Sequence, residues 1–190
     1  MRTFIAIELP KEIKTALSRL QEQLKKSEAD VNWVEPQNIH LTLKFLGERD
    51  YKKISIISAI TEEIVQDKAQ FTASITSIGA FPSINSPRVI WAGINKGDAQ
   101  IKEIAAELEE KIAKAGIPKE DRPFSSHITI GRMRSVKNLD KLIQEINKIA
   151  AGFDKQNLEF SVKSITLFKS TLSSKGPTYE VLKEASLITS

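Results

Sequence analysis

Histidine occurs only twice in the 190 residues, and both copies open the same four-residue pattern, His40-Leu41-Thr42-Leu43 and His127-Ile128-Thr129-Ile130. Given the chain's composition, the coincidence has odds of roughly one in ten thousand. On an extended strand successive side chains point to opposite faces. Each tetrad therefore sets imidazole and hydroxyl on one face and two aliphatic side chains on the other. A chain with two such strands is constrained to bury both aliphatic faces while keeping both His-Thr faces apart from the core.

The elements around the tetrads repeat in order. Thr3 to Leu9 has short-strand character, and Ile13, Ala16, Leu17, Leu20 and Leu24 then fall at helical spacing, ending near Ser27. A brief strand at Asn32 to Val34 precedes the first tetrad, whose strand Gly47 closes. Ile54, Ile57, Ile60, Ile64 and Val65 mark a second helix, and Phe71 to Phe81 alternates as a strand. After a loop from Pro82 to Pro87 the order begins again. Arg88 to Ile94 reads as a strand, and Ile101 to Ile112 as a helix ended by Gly116 and Pro118. The second tetrad follows. Leu139 to Ile149 then reads as a helix, Leu158 to Phe168 as one long strand, and Thr178 to Leu187 as the last strand.

The two tetrads are offset by 87 residues (127 − 40), and the order of elements predicts an α+β fold. In this reading residues 1–190 form a single bilobal domain built from a duplicated unit, about 1–82 and 87–190. Each of two pseudo-symmetric lobes is an antiparallel sheet with helices packed outside, and the cleft between them holds the active site.

Composition narrows the chemistry. The chain has no cysteine, which excludes disulfides, thiolate metal sites and a cysteine nucleophile and fits a reducing, cytoplasmic setting. No apolar run approaches the ~20 residues of a bilayer span, so no membrane partner is expected. A formal net charge of +4 is compatible with a polyanion such as RNA. Two imidazoles, with ordinary pKa near 6.5, suit a general acid and a general base at one pH, and the Thr hydroxyls suit phosphate oxygens. Zinc would need a third ligand with no recognisable spacing, and no nucleophile elbow or Walker loop is present.

These residues resemble the 2H phosphoesterase superfamily, and within it the RNA 2′,3′-cyclic phosphodiesterases, also called 2′-5′ RNA ligases. The resemblance runs from Arg2-Thr3-Phe4-Ile5-Ala6-Ile7-Glu8-Leu9-Pro10 through Trp33-Val34, Ile39 to Gly47, Arg88 to Gly93, Arg122-Pro123-Phe124 and His127 to Arg132, to Leu167-Phe168-Lys169-Ser170 and Gly176-Pro177-Thr178-Tyr179. Ser126 stands where such proteins commonly place Pro.

The resemblance implies metal-independent, cofactor-free hydrolysis of an RNA-terminal or nucleotide 2′,3′-cyclic phosphate to a 2′-phosphomonoester; a monomer is expected, although the sequence itself carries no signal of oligomeric state. It makes His40 the proton donor and His127 the acceptor, roles the residues alone leave open, with Thr42 and Thr129 as their partners. Arg132 is a candidate phosphate ligand, although strict alternation sends it to the face opposite His127 unless Gly131 bends or bulges the strand. Lys44 falls on the His40 face by the same alternation and is expected to line the cleft. Phe124 and Trp33 are candidate base platforms. Competing readings are a phosphodiesterase or ligase for small cyclic phosphates or 2′-5′ linkages, and a non-catalytic RNA-end binding module.

Overall fold

The computed structural model describes residues 1–189 and contains nine strands and four helices among them. In chain order these are β1 (Arg2–Glu8), α1 (Lys11–Lys25), β2 (Val31–Trp33), β3 (His40–Glu48), α2 (Tyr51–Val65), β4 (Phe71–Ser83), β5 (Ser86–Ile94), α3 (Asp98–Lys114), β6 (His127–Met133), α4 (Leu139–Ala150), β7 (Leu158–Val162), β8 (Ser164–Ser173) and β9 (Gly176–Ser186). A 3₁₀ turn at Pro36–Asn38 leads into β3.

The helices form where apolar residues recur every three or four positions and local groups close the ends. Helix α1 buries Ile13, Leu17, Leu20 and Leu24. The Asp50 carboxylate caps α2 by accepting the Lys53 backbone N–H at 2.8 Å. Helix α3 buries Ile101, Ile104, Ala105, Leu108 and Ile112. It stops at Gly116, whose φ of +89° lets the Ile117 N–H turn back to the Ile112 carbonyl.

Two antiparallel sheets result, ordered β3-β1-β8-β9 and β2-β6-β5-β4-β7. Helices α2 and α3 pack on the four-stranded sheet, and α1 and α4 on the five-stranded one. One continuous core cluster fills the helix-facing sides of both sheets, with Ile5, Ile7, Leu41 and Ile57 on one and Ile90, Ile128, Ile130 and Leu142 on the other. Fully burying such a side chain contributes about 1.5–3 kcal/mol.

Topology corrects two expectations. The expected loop from Pro82 to Pro87 is a hairpin turn, because β4 runs to Ser83 and pairs with β5 from Ser86. The expected single strand from Leu158 to Phe168 is two strands that break at Lys163 and enter different sheets, β7 beside β4 and β8 beside β1. The two stretches of sequence also do not coincide with the two sheets. The first stretch gives β1 and β3 to one sheet but its last strand, β4, to the other; the second gives β5 and β6 to that other sheet and returns β8 and β9 to the first. A division between residues 82 and 87 thus falls inside a hairpin of one sheet.

Candidate active site

Each histidine is the first residue of its strand, His40 on β3 and His127 on β6, and Cα atoms of these strands approach within 8 Å across the sheets. Burial follows the same sequence in both strands. His40 and Thr42 are half-buried, Leu41, Leu43 and Lys44 are buried, and Phe45 is exposed; His127 and Thr129 are half-buried, Ile128, Ile130 and Gly131 are buried, and Arg132 is exposed.

A β-bulge at the fourth residue of each tetrad produces this pattern. Thr42 pairs with Ala6 and Lys44 with Ile5, which leaves Leu43 as the extra residue of β3. Thr129 pairs with Trp91 and Gly131 with Ile90, which leaves Ile130 as the extra residue of β6. An inserted residue reverses the alternation beyond it. The residue five places after each histidine therefore rejoins the histidine's face. Arg132 reaches the His127-Thr129 side in this way, through a bulge one residue before the glycine the sequence had suggested.

The same device moves Lys44 off the cleft. Its side chain is 1% exposed and its Nζ lies 2.7 Å from Glu109 Oε1 on α3, so it ties β3 to the helix layer. The expectation that Lys44 lines the cleft is corrected by the bulge at Leu43. In its place stands Phe45, 56% exposed, opposite Phe4 in the β1 register with ring centroids 6.4 Å apart. Phe124 and Trp33 are half-buried and pack against the core cluster rather than standing free as base platforms. Trp33 also lies over Gly131, where a Cβ would meet its ring at 2.9 Å.

The imidazoles are held alike. His40 Nδ1 is 2.6 Å from the Asn38 carbonyl and His127 Nδ1 is 2.8 Å from the Ser125 carbonyl. A carbonyl only accepts, so each Nδ1 carries hydrogen and each Nε2 is left for other chemistry. His40 Nε2 lies 2.9 Å from Thr42 Oγ1. His127 Nε2 and Thr129 Oγ1 have no protein partner among the described residues. Aromatic rings wall both imidazoles, with Phe4 and Tyr179 against His40 and Phe81 edge-on to His127.

Burial pushes the pKa of each imidazole below its ordinary value; the carbonyl bonds oppose this, as does Glu8 at His40. The Arg132 guanidinium depresses both. Arg132 is the smallest of these influences on each ring, behind burial and the carbonyl bonds, yet this one cation on β6 lowers imidazoles from both sheets. Burial also raises the Tyr179 phenol, against the opposing pull of Arg2 and Arg132. Among the described residues no three His, Asp or Glu side chains gather as a metal site, and no helix is long and apolar enough to cross a membrane.

The family model for LigT-like phosphoesterases matches residues 7–91 and again residues 94–179. The chain belongs to the LigT-like phosphoesterases. Among relatives in the family, the RNA 2′,3′-cyclic phosphodiesterase of Methanocaldococcus jannaschii is 40% identical over 97% of this chain and 99% of its own length. The protein of the same description from Thermotoga maritima is 37% identical over 97% and 94%. The crystal structure of Escherichia coli LigT complexed with 3′-AMP superposes with a TM-score of 0.79 at 28% identity, covering 98% of this chain and 97% of that one.

Proposed function

We propose that the protein hydrolyses a 2′,3′-cyclic phosphate at an RNA end to a 2′-phosphomonoester, with His40 as general acid and His127 as general base and without a metal. The observation that carries this reading is the matched pair of His-Thr faces on neighbouring strands of the two sheets, each imidazole held at Nδ1 with Nε2 left for chemistry, within a family of phosphoesterases whose relatives here are RNA 2′,3′-cyclic phosphodiesterases. The domain is read as one bilobal body built from a unit used twice.

In this mechanism the cyclic phosphate sits between the two His-Thr faces with Arg132 on its non-bridging oxygens. His127 Nε2 takes a proton from a water as the water oxygen bonds to phosphorus. The P–O3′ bond breaks on the opposite side, and His40 Nε2–H delivers its proton to O3′. In-line displacement requires attacking and leaving oxygens on opposite sides of phosphorus, which is what two imidazoles from opposed sheets supply. The fixed guanidinium and hydroxyls stabilise the charge on the equatorial oxygens at no cost in reorganisation. The bound anion also offsets Arg132 and favours the imidazolium that the acid step needs.

Phe45 supplies the base platform in this reading. It is the exposed aromatic that the β3 bulge returns to the His40 face, and stacking on such a ring accepts any base. A turnover assay on an oligoribonucleotide ending in 2′,3′-cyclic phosphate, run with and without EDTA, tests the proposal. Formation of the 2′-phosphomonoester at an unchanged rate is expected; no turnover, or turnover abolished by chelation, contradicts it.

A further inference from the structure

The two histidine anchors are not equivalent. Both imidazoles donate Nδ1–H to the carbonyl two residues before them, but that carbonyl belongs to Asn38 in one sheet and Ser125 in the other. Asn38 is a polar side chain only 7% exposed, at the end of the turn Pro36–Asn38. Its amide Nδ2 donates to the Pro177 carbonyl at 2.8 Å, across 139 residues of sequence. Pro177 is the second residue of β9, and two residues later Tyr179 sets its ring edge-on to His40 at 5.4 Å and edge-on to Phe4 at 4.9 Å. Phe4 in turn stacks on Phe168 of β8 at 5.3 Å. The turn is fixed from its other side by Lys14 of α1, whose Nζ donates to the Gln37 carbonyl at 2.8 Å.

We infer that Asn38 is a positioning residue for His40, its side chain clasping the β8–β9 hairpin so that Tyr179 closes over the imidazole whose Nδ1–H its own carbonyl holds. This rests on the proposed function for its kinetic consequence but not for its structural one. A buried amide that loses its acceptor costs free energy, so the side chain holds the hairpin in place. A carbonyl on a turn pinned at both ends fixes the ring tautomer and direction, as partners behind a working histidine do elsewhere. The Ser125 carbonyl has no such side-chain clasp among the described residues, so the effect belongs to His40 alone.

The variants are Asn38→Leu, which keeps the volume and removes the amide donor, Tyr179→Ala, and the two together. The readouts are kcat and KM on a cyclic-phosphate oligonucleotide, and the ¹⁵N shifts of both imidazoles by NMR in the free protein. Misplacing a reacting group by about 1 Å costs on the order of a hundredfold, so each single variant is expected to lower kcat roughly tenfold to a hundredfold with KM changed less. The double variant is expected to be no worse than the poorer single, since both act through one docked hairpin. The His40 nitrogens are expected to move toward the averaged shifts of an untethered ring while those of His127 stay put. Additive losses, equal shifts at both histidines, or an unchanged His40 spectrum overturn the inference. If the parent protein turns over no cyclic phosphate, the functional reading fails, and the His40-specific ¹⁵N change still decides this one.

Discussion

Leu43 and Ile130 hold the same place in strands of different sheets: each is the fourth residue of a His-x-Thr-x tetrad and each is the extra residue of a β-bulge. The consequence is chemical. Without the bulges, Lys44 and Gly131 would share the histidine faces, and Phe45 and Arg132 would point at the helices. With them the cleft gains one aromatic ring and one guanidinium, and the core gains one lysine and one glycine.

Arg132 is the cation that both imidazoles feel. Arg132→Ala is expected to lower kcat by about a hundredfold or more, the scale for losing one donor to developing charge. Arg132→Lys should restore part of this, since an ammonium gives charge without the bidentate fork. NMR titration of Arg132→Ala should show both histidine pKa values rising, because the cation that depresses them is gone. A variant with normal turnover and unmoved titrations would contradict the placement.

Lys44 serves the fold. Lys44→Ala strands Glu109 in a partly buried site and removes a four-carbon stem, and is expected to lower stability by roughly 2–4 kcal/mol. Denaturant unfolding measures this. In the folded variant kcat/KM should stay within a fewfold of the parent, and a hundredfold loss would return Lys44 to the cleft.

Gly131 keeps the β6 bulge against β2. A Cβ there would meet Val31 Cγ1 at 2.8 Å and the Trp33 ring at 2.9 Å. Gly131→Ala is expected to cost about 1–3 kcal/mol in unfolding experiments, as overpacking does, and to lower turnover because Arg132 is the next residue. A fully stable and active variant would show that the strands part without consequence.

Acidity should register in both rate and stability. Each imidazole has its folded pKa below the ordinary 6.5, mainly through burial. The unfolded chain therefore binds more protons below that pH, and stability is lost as pH falls through 6.5 toward the folded values. Denaturation midpoints across that window should fall for the parent and fall less for His40→Ala. The kcat/KM profile, which reports the free enzyme, is expected to be bell-shaped with its maximum below pH 6.5, and the kcat profile to lie at higher pH because the bound phosphate favours the charged ring. Profiles flat from pH 5 to 8 would exclude acid-base work by these groups.

The sequence carried the sheet-helix order and the residues of the two tetrads, because apolar periodicity and a repeated rare residue survive without coordinates. It carried the bulges poorly. Leu43 is followed by Lys44, whose charge suggests solvent, and only an ion pair with distant Glu109 makes its burial tolerable. The break at Lys163 did leave a trace: apolar residues fall at Leu158, Phe160 and Val162, then resume at Ile165, Leu167 and Phe168, the every-second spacing being broken at Lys163-Ser164. Strand exchange between the sheets left none, since long-range pairing is set by packing of the whole chain. Asn38 was likewise hidden, its partner Pro177 lying 139 residues away.

The most direct measurement is single-turnover hydrolysis of a 2′,3′-cyclic-phosphate oligoribonucleotide in H₂¹⁸O by the parent, His40→Ala and His127→Ala proteins. The account expects one ¹⁸O in a 2′-phosphomonoester from the parent, and rates lowered by at least about 10²-fold in each variant while both stay folded. A 3′-phosphomonoester product, or full activity after loss of either histidine, would contradict the opposed pair.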